Sequence, residues 1–252
     1  MKFKEQIRAV QQDLPITQRH DRWLLTNPNP VYSSEAVAFM QRQLTEPQRD
    51  RSGSFSGSAT STCDRRQIFA YMGAPRADWK DSQTPNILHN GTFTHLRWQL
   101  AGLTEGWLKR AEVPVRLPQL NYKGGMDGVL FNDTGFEFKT INGFSFKAIM
   151  DFGARADHID QVHSYMMATG IDQFSVVYES KDTNEWRETI VHRHEPIIEI
   201  IKDKLEALNE YADTKKLPVI LNECKNEEGP KFRNCPYRGI CPVVKDWDEV
   251  QN

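Results

Sequence analysis

Apolar and polar positions change their period several times along the chain, and each change predicts an element. Lys123 to Ile141 reads KGGMDGVLFNDTGFEFKTI, two apolar runs around the turn formers Asn132-Asp133-Thr134-Gly135. That pattern predicts a β-hairpin. In its second strand Phe136 and Phe138 fall on one face, and Glu137 and Lys139 on the other. Two further strands are expected at 174–179 and 186–193, joined by Ser180-Lys181-Asp182-Thr183-Asn184. Helical spacing predicts helices over 3–12, 34–44, 91–103, 154–169 (ended by Gly170) and 196–211 (opened by Pro196). Residues 61–73 read as a capped helix, with Ser61 or Thr62 as N-cap, Cys63 in the first turn and Gly73 at the stop. Residues 51–62 form a Ser/Gly-rich loop, and 143–147 a loop or lid. Helices alternating with strand pairs imply an α/β fold, a mixed sheet flanked by helices.

Length adds that 252 residues make one large domain or two small ones. A hydrophobic content of 38% and a charged content of 26% suit a soluble globular protein. No apolar run approaches bilayer length, and the charged start MKFKEQIRAVQQD lacks a signal-peptide core, so a cytoplasmic location is expected. With a net charge of −2, any nucleic-acid binding must come from a local basic groove. Of the four cysteines, Cys224, Cys235 and Cys241 cluster near the end of the chain, while Cys63 stands apart. In a reducing compartment that clustering points to a metal or cluster site. Four thiolates suit a four-iron, four-sulfur cluster or tetrahedral zinc, and spacing does not separate the two.

Asp127 lies among glycines, where a ligand can approach closely. Pairing the hairpin strands brings Asp127 and Glu137 together with Lys139 beside them. Two carboxylates suit a hard divalent cation such as magnesium, and an ammonium offsets phosphate charge. The plain alternative is a solvated Glu/Lys pair on a surface hairpin. Gln161 and Tyr165, spaced i, i+4, share a helix face with His158 near it, while His163 points away. A core tyrosine beside a surface glutamine is the plain alternative there, as a packed histidine is for His95. His192 and His194 alternate on one face, but no third ligand accompanies them.

These residues, in this order, resemble the RecB-like branch of the PD-(D/E)XK nucleases. The likeness is to iron–sulfur members such as the CRISPR-associated exonuclease family, the AddB nuclease domain and phage relatives. It runs from Cys63 to Cys241: the motif histidine matches His95, GxxD matches Gly124-Gly125-Met126-Asp127, ExK matches Glu137-Phe138-Lys139, and QxxxY matches Gln161 and Tyr165. The cluster motif matches Cys63, Cys224, Cys235 and Cys241. Met126 stands where many members have proline, and the Cys224–Cys235 interval is longer than in many relatives, which keeps zinc as an alternative.

The resemblance implies a restriction-endonuclease-like fold, with an N-terminal helical extension (1–50) and a nuclease domain (51–252) closed by a cluster-binding tail (224–241). It implies that His95, Asp127, Glu137 and the main-chain carbonyl of Phe138 hold magnesium or manganese. Lys139 would position or deprotonate the attacking water or stabilise charge, steadied by Gln161 and Tyr165. A 4Fe-4S cluster, or zinc, would clamp the chain ends structurally. The implied activity is a metal-dependent exonuclease on single-stranded DNA ends, of phage type, serving replication, recombination or DNA processing. Arg65, Arg66, Lys147 and Arg155 would contact the backbone, and Phe144 and Phe146 would stack on bases. No P-loop is present, so a helicase or recombination protein would be a separate partner. A structure-specific endonuclease of the same fold and a non-catalytic DNA-binding or assembly module are the alternatives.

Overall fold

The computed structural model describes residues 15–46, 52–57, 60–77 and 82–250. The helix expected at 3–12 lies outside them. The elements are α1 (Ile16–Thr26), α2 (Ser34–Thr45), α3 (Asp64–Tyr71), α4 (Gln83–Glu105), β1 (Leu108–Leu117), β2 (Tyr122–Leu130), β3 (Gly135–Ile141), α5 (Gly143–Phe152), α6 (Ala156–Thr169), β4 (Gln173–Ser180), β5 (Trp186–His192), α7 (Glu195–Asp213) and the short α8 (Pro230–Arg233).

The strands form one mixed sheet in the order β1-β2-β3-β4-β5. Only β3 and β4 run parallel, and α5 and α6 make the crossover between them. This is the mixed α/β architecture that the alternation of elements predicts. Both sheet faces are covered, so the two sides of β3 enter different cores. Phe136 and Phe138 pack with Trp98, Trp107 and Val177 beneath α4. On the other face Tyr122, Met126, Val176 and Tyr178 meet Val162, Tyr165 and Met166 of α6 and Ile198, Ile201 and Leu205 of α7. A smaller core joins α3 to the C-terminal segment through Phe69, Tyr237, Val244 and Val250. Among the described residues no helix is long and apolar enough to cross a membrane.

Three local expectations change, and one stretch with no expected element forms a strand. The α4 helix begins at Gln83, because a long helix tolerates an internal glycine such as Gly91 at a cost of about 1 kcal/mol. The charged, proline-bearing stretch LKRAEVPVRL is the edge strand β1, with Pro114 opposite Gly125; an edge strand accommodates a proline. The loop expected at 143–147 is the start of α5, where Asn142 accepts from the Ser145 N–H at 2.8 Å and Phe146 and Ile149 are buried. The N-cap of α3 is Cys63 rather than Ser61 or Thr62, its Sγ accepting from the Arg66 N–H at 3.4 Å. The Ser/Gly-rich stretch is anchored at Phe55, which bridges to Tyr122.

Candidate active site

The site lies where β2 and β3 separate. Their ladder holds at Val129↔Gly135 and Gly128↔Phe136 and goes no further, while β2 stays paired to β1 and β3 to β4. Gly128, at the last rung, leaves no room for a side chain, since a Cβ there would come within 2.5 Å of the Leu108 side chain and 2.6 Å of the Arg110 carbonyl oxygen. Its role is close packing against β1 rather than ligand access. Beyond that rung the Asp127 side chain replaces the ladder: its Oδ2 accepts from the Phe138 N–H at 2.7 Å. Gln99 of α4 donates to the Asp127 carbonyl at 3.0 Å and to Glu112 Oε1 at 2.8 Å. Sequence reading gave no role to Gln99, a buried polar residue on an otherwise apolar helix turn.

The two helices over the two faces each supply a residue to this fork. From α4, His95 sets Nδ1 3.3 Å from Asp127 Oδ1 and packs its ring edge-on to Phe138. From α6, Gln161 donates through Nε2 to Glu137 Oε1 at 2.9 Å and to the Tyr165 hydroxyl at 2.7 Å. Lys139 Nζ donates to Glu137 Oε1 at 2.6 Å and to Gln161 Oε1 at 2.9 Å. Behind them Ser164 bonds the Gln161 carbonyl at 2.6 Å and the Tyr122 hydroxyl at 2.7 Å. Thus His95, Asp127, Glu137, Lys139, Gln161 and Tyr165 are joined in one group of contacts.

Burial sharpens the electrostatics. Burial, and then the charge of Asp127, push Glu137 up to about 7. Burial would raise Asp127 too, but His95, Lys139 and the Phe138 N–H hold it below the usual carboxylate range. Burial disfavours the charged forms of Lys139 and His95, yet the neighbouring carboxylates outweigh it and hold both above their ordinary values. Lys139 is therefore an ammonium in this arrangement. Beside it, across the parallel ladder, the Tyr178 hydroxyl lies 2.9 Å from His158 Nδ1. Burial, then Lys139, lower His158 to about 4, so this imidazole is neutral. His163 is buried with Nδ1 2.8 Å from the Ile159 carbonyl, and His192 and His194 are exposed.

Among the described residues no three His, Cys, Asp or Glu side chains are arranged to hold a metal ion in this conformation. Asp127 commits both oxygens to His95 and Phe138, and Glu137 commits Oε1 to Lys139 and Gln161. Glu137 Oε2, however, is buried without a hydrogen-bond partner. A hard cation suits an unmatched carboxylate oxygen beside a second carboxylate and an imidazole. The four cysteines are free thiols, each partly exposed. The thiol of Cys224 is raised by burial and then by Cys63 and Cys235, and that of Cys241 is raised by burial, which Arg65 opposes. Such a soft donor set suits iron or zinc.

Two assignments to DNA are corrected by the structure. Arg65 is buried, 5% exposed, with its guanidinium on main-chain carbonyls of the C-terminal segment. Phe146 is a core residue, 7% exposed, because α5 turns it onto the sheet. Phe144 and Lys147 are exposed on α5, Arg155 is exposed and paired to Asp157, and Arg66 is half-buried.

No family model matches the chain, and no curated protein matches it. Solved structures do. An alkaline exonuclease from Laribacter hongkongensis is 14% identical with a TM-score of 0.50, covering 65% of this chain and 90% of that one. The same enzyme in complex with dAMP gives 16% identity and a TM-score of 0.53 over the same shares. A phage-related exonuclease from Haemophilus somnus 129PT is more distant, with a TM-score of 0.42 at 15% identity over 64% of this chain and 94% of that one. At these identities the likeness to the alkaline exonuclease shows the fold: a five-stranded mixed sheet flanked by helices, shared with an exonuclease.

Proposed function

We propose that the chain is a divalent-metal-dependent deoxyribonuclease that degrades DNA from single-stranded ends. The observation that carries this reading is the meeting of Asp127, Glu137 and Lys139 at the β2–β3 fork, with Glu137 Oε2 left unmatched. The exonuclease fold supports it, and the dAMP bound to the Laribacter enzyme supports DNA as the substrate.

His95, Asp127, Glu137 and the carbonyl of Phe138 would hold magnesium or manganese, which when bound polarises the scissile phosphate and lowers the pKa of the attacking water. The chain's own groups do the positioning. Lys139 brings an ammonium fixed by two acceptors, with a third donor left for a phosphate oxygen, and stabilises charge that develops there. Gln161 holds both Lys139 and Glu137, so neither must reorganise when substrate arrives. Tyr165 and Ser164 hold Gln161 in turn. Lys147, Arg155 and Phe144 are accessible to a single strand and would take its phosphates and a base. The four cysteines would bind a 4Fe-4S cluster or zinc in a structural role, since hydrolysis moves no electrons. With no P-loop in the chain, a separate ATPase would supply unwound ends.

The test is digestion of end-labelled single-stranded DNA, linear and circular, with magnesium or manganese, by wild type and Lys139→Ala. Wild type alone degrading the linear strand and sparing the circle is the expected result. Cleavage of circles would replace exonuclease with endonuclease. Tight DNA binding by folded, metal-loaded wild type without any cleavage would replace it with a binding module.

A further inference from the structure

We infer that Arg65 is a positioning residue for the four-cysteine centre: it docks the C-terminal segment so that Cys224, Cys235 and Cys241 stand near Cys63 before any metal binds. This rests on reading the cysteines as a metal centre.

The segment after α7 has little structure of its own. It contains helical turns at Asn222–Cys224, Pro230–Arg233 and Trp247–Val250, and no strand. Turn hydrogen bonds take carbonyls such as those of Tyr237 and Ile240, and other carbonyls look outside the segment for donors. Arg65 supplies them from the first turn of α3, directly after the cap formed by Cys63. Its NH1 donates to the Pro218 carbonyl at 2.8 Å, and its NH2 to the carbonyls of Cys241, at 3.3 Å, and Val244. Pro218 precedes Cys224, whereas Cys241 and Val244 follow Cys235. One guanidinium thus closes both ends of the loop that carries all three late thiols. A planar fork with fixed donors suits this task, and a lysine does not match it. The guanidinium also lies 5.3 Å from the centre of the Phe69 ring, whose other neighbour is Tyr237 at 5.6 Å, and the Ala77 N–H reaches the Pro236 carbonyl at 2.7 Å. Arg65 Nε has no partner although buried. A buried cation with a spare donor beside a cysteine suits a centre whose thiolates bring excess negative charge.

The experiment is a titration of the reduced, metal-free full chain with Co2+, read by thiolate-to-cobalt charge-transfer absorbance and the tetrahedral d–d bands. Wild type is expected to show four-thiolate intensity, and Cys235→Ser the loss of one thiolate's share. Arg65→Met is expected to bind roughly 10- to 100-fold more weakly with reduced intensity, the usual scale for loss of a residue that orients ligands. Arg65→Lys, which keeps the charge but not the fork, recovers part of the affinity. In the metal-free state trypsin should cut after Lys225 and Lys231 faster in Arg65→Met than in wild type. Wild-type cobalt affinity and intensity in folded Arg65→Met would overturn the inference and leave the metal-centre reading standing. A wild type that takes up neither cobalt nor iron would remove both. If Arg65→Met lacks native far-UV dichroism, Arg65→Lys decides: weaker cobalt binding supports the inference, and unchanged binding overturns it.

Discussion

Lys139 and Arg65 are both withdrawn from solvent and both hold several acceptors, yet the acceptors differ in kind. Those of Lys139 are side chains on a sheet and a helix that are complete without it, and 19% of its side chain stays exposed. Those of Arg65 are main-chain carbonyls of a segment with no sheet to join. A carboxylate at about 7 can take up a proton when its cation is removed, whereas a carbonyl cannot. A buried cation thus has two uses here: Lys139 concentrates charge beside the paired carboxylates, and Arg65 docks a segment that no sheet holds.

The largest expected effect breaks the comparison at its chemical end. Lys139→Ala should lower cleavage by about 1,000-fold or more while leaving the thermal midpoint nearly unchanged, because Glu137 protonates in place of the lost pair. A drop in midpoint as large as that of Arg65→Met would erase the distinction. Next comes a buried base that has neither kind of acceptor. His20 is fully buried, both ring nitrogens lack partners, and it stacks on Trp98 at 3.9 Å. Burial, then Arg97, lower its pKa to about 4. The folded state thus refuses a proton that the unfolded chain accepts below about 6.5. Stability is full above that value and falls as pH drops towards 4, by about 3 kcal/mol in all. Denaturant unfolding at several pH values should show this loss, and His20→Phe should remove its share while that of His158, lowered to about 4 as well, remains.

Smaller changes sharpen the contrast at Lys139. Gln161→Ala removes one of its two acceptors and should slow cleavage about 10- to 100-fold while costing about 1–2 kcal/mol of stability. Steady-state kinetics should place the loss in kcat. Lys147→Ala, on the exposed face of α5, should leave stability unchanged and weaken DNA binding equally across sequences. The slope of log affinity against log salt should fall by about 1.

Much of the site was legible because its parts are local. The alternation through Phe136-Glu137-Phe138-Lys139 sets which side chains share a face whatever else the chain does. The i, i+4 step sets Gln161 beside Tyr165 in the same way. Arg65 was not legible: exposed and buried arginines look alike in sequence, and its partners lie more than 150 positions away. Phe146 was misread because a helix, rather than a loop, decides its direction.

The sequence by itself therefore determined the hairpin and its two faces, since backbone periodicity and turn chemistry act over a few residues; that His95 and Gln161 join Asp127, Glu137 and Lys139 was implied by the resemblance alone. Only the tertiary structure decided three further matters. The β2–β3 ladder stops at Gly128, and beyond it the Asp127 side chain takes the Phe138 N–H. The charged stretch before the hairpin becomes a strand because β2 offers it a partner from Leu108 to Leu117, with an irregularity between Leu108 and Arg110. Arg65 turns inward because the C-terminal segment, which joins no sheet, brings the carbonyls of Pro218, Cys241 and Val244 to its guanidinium.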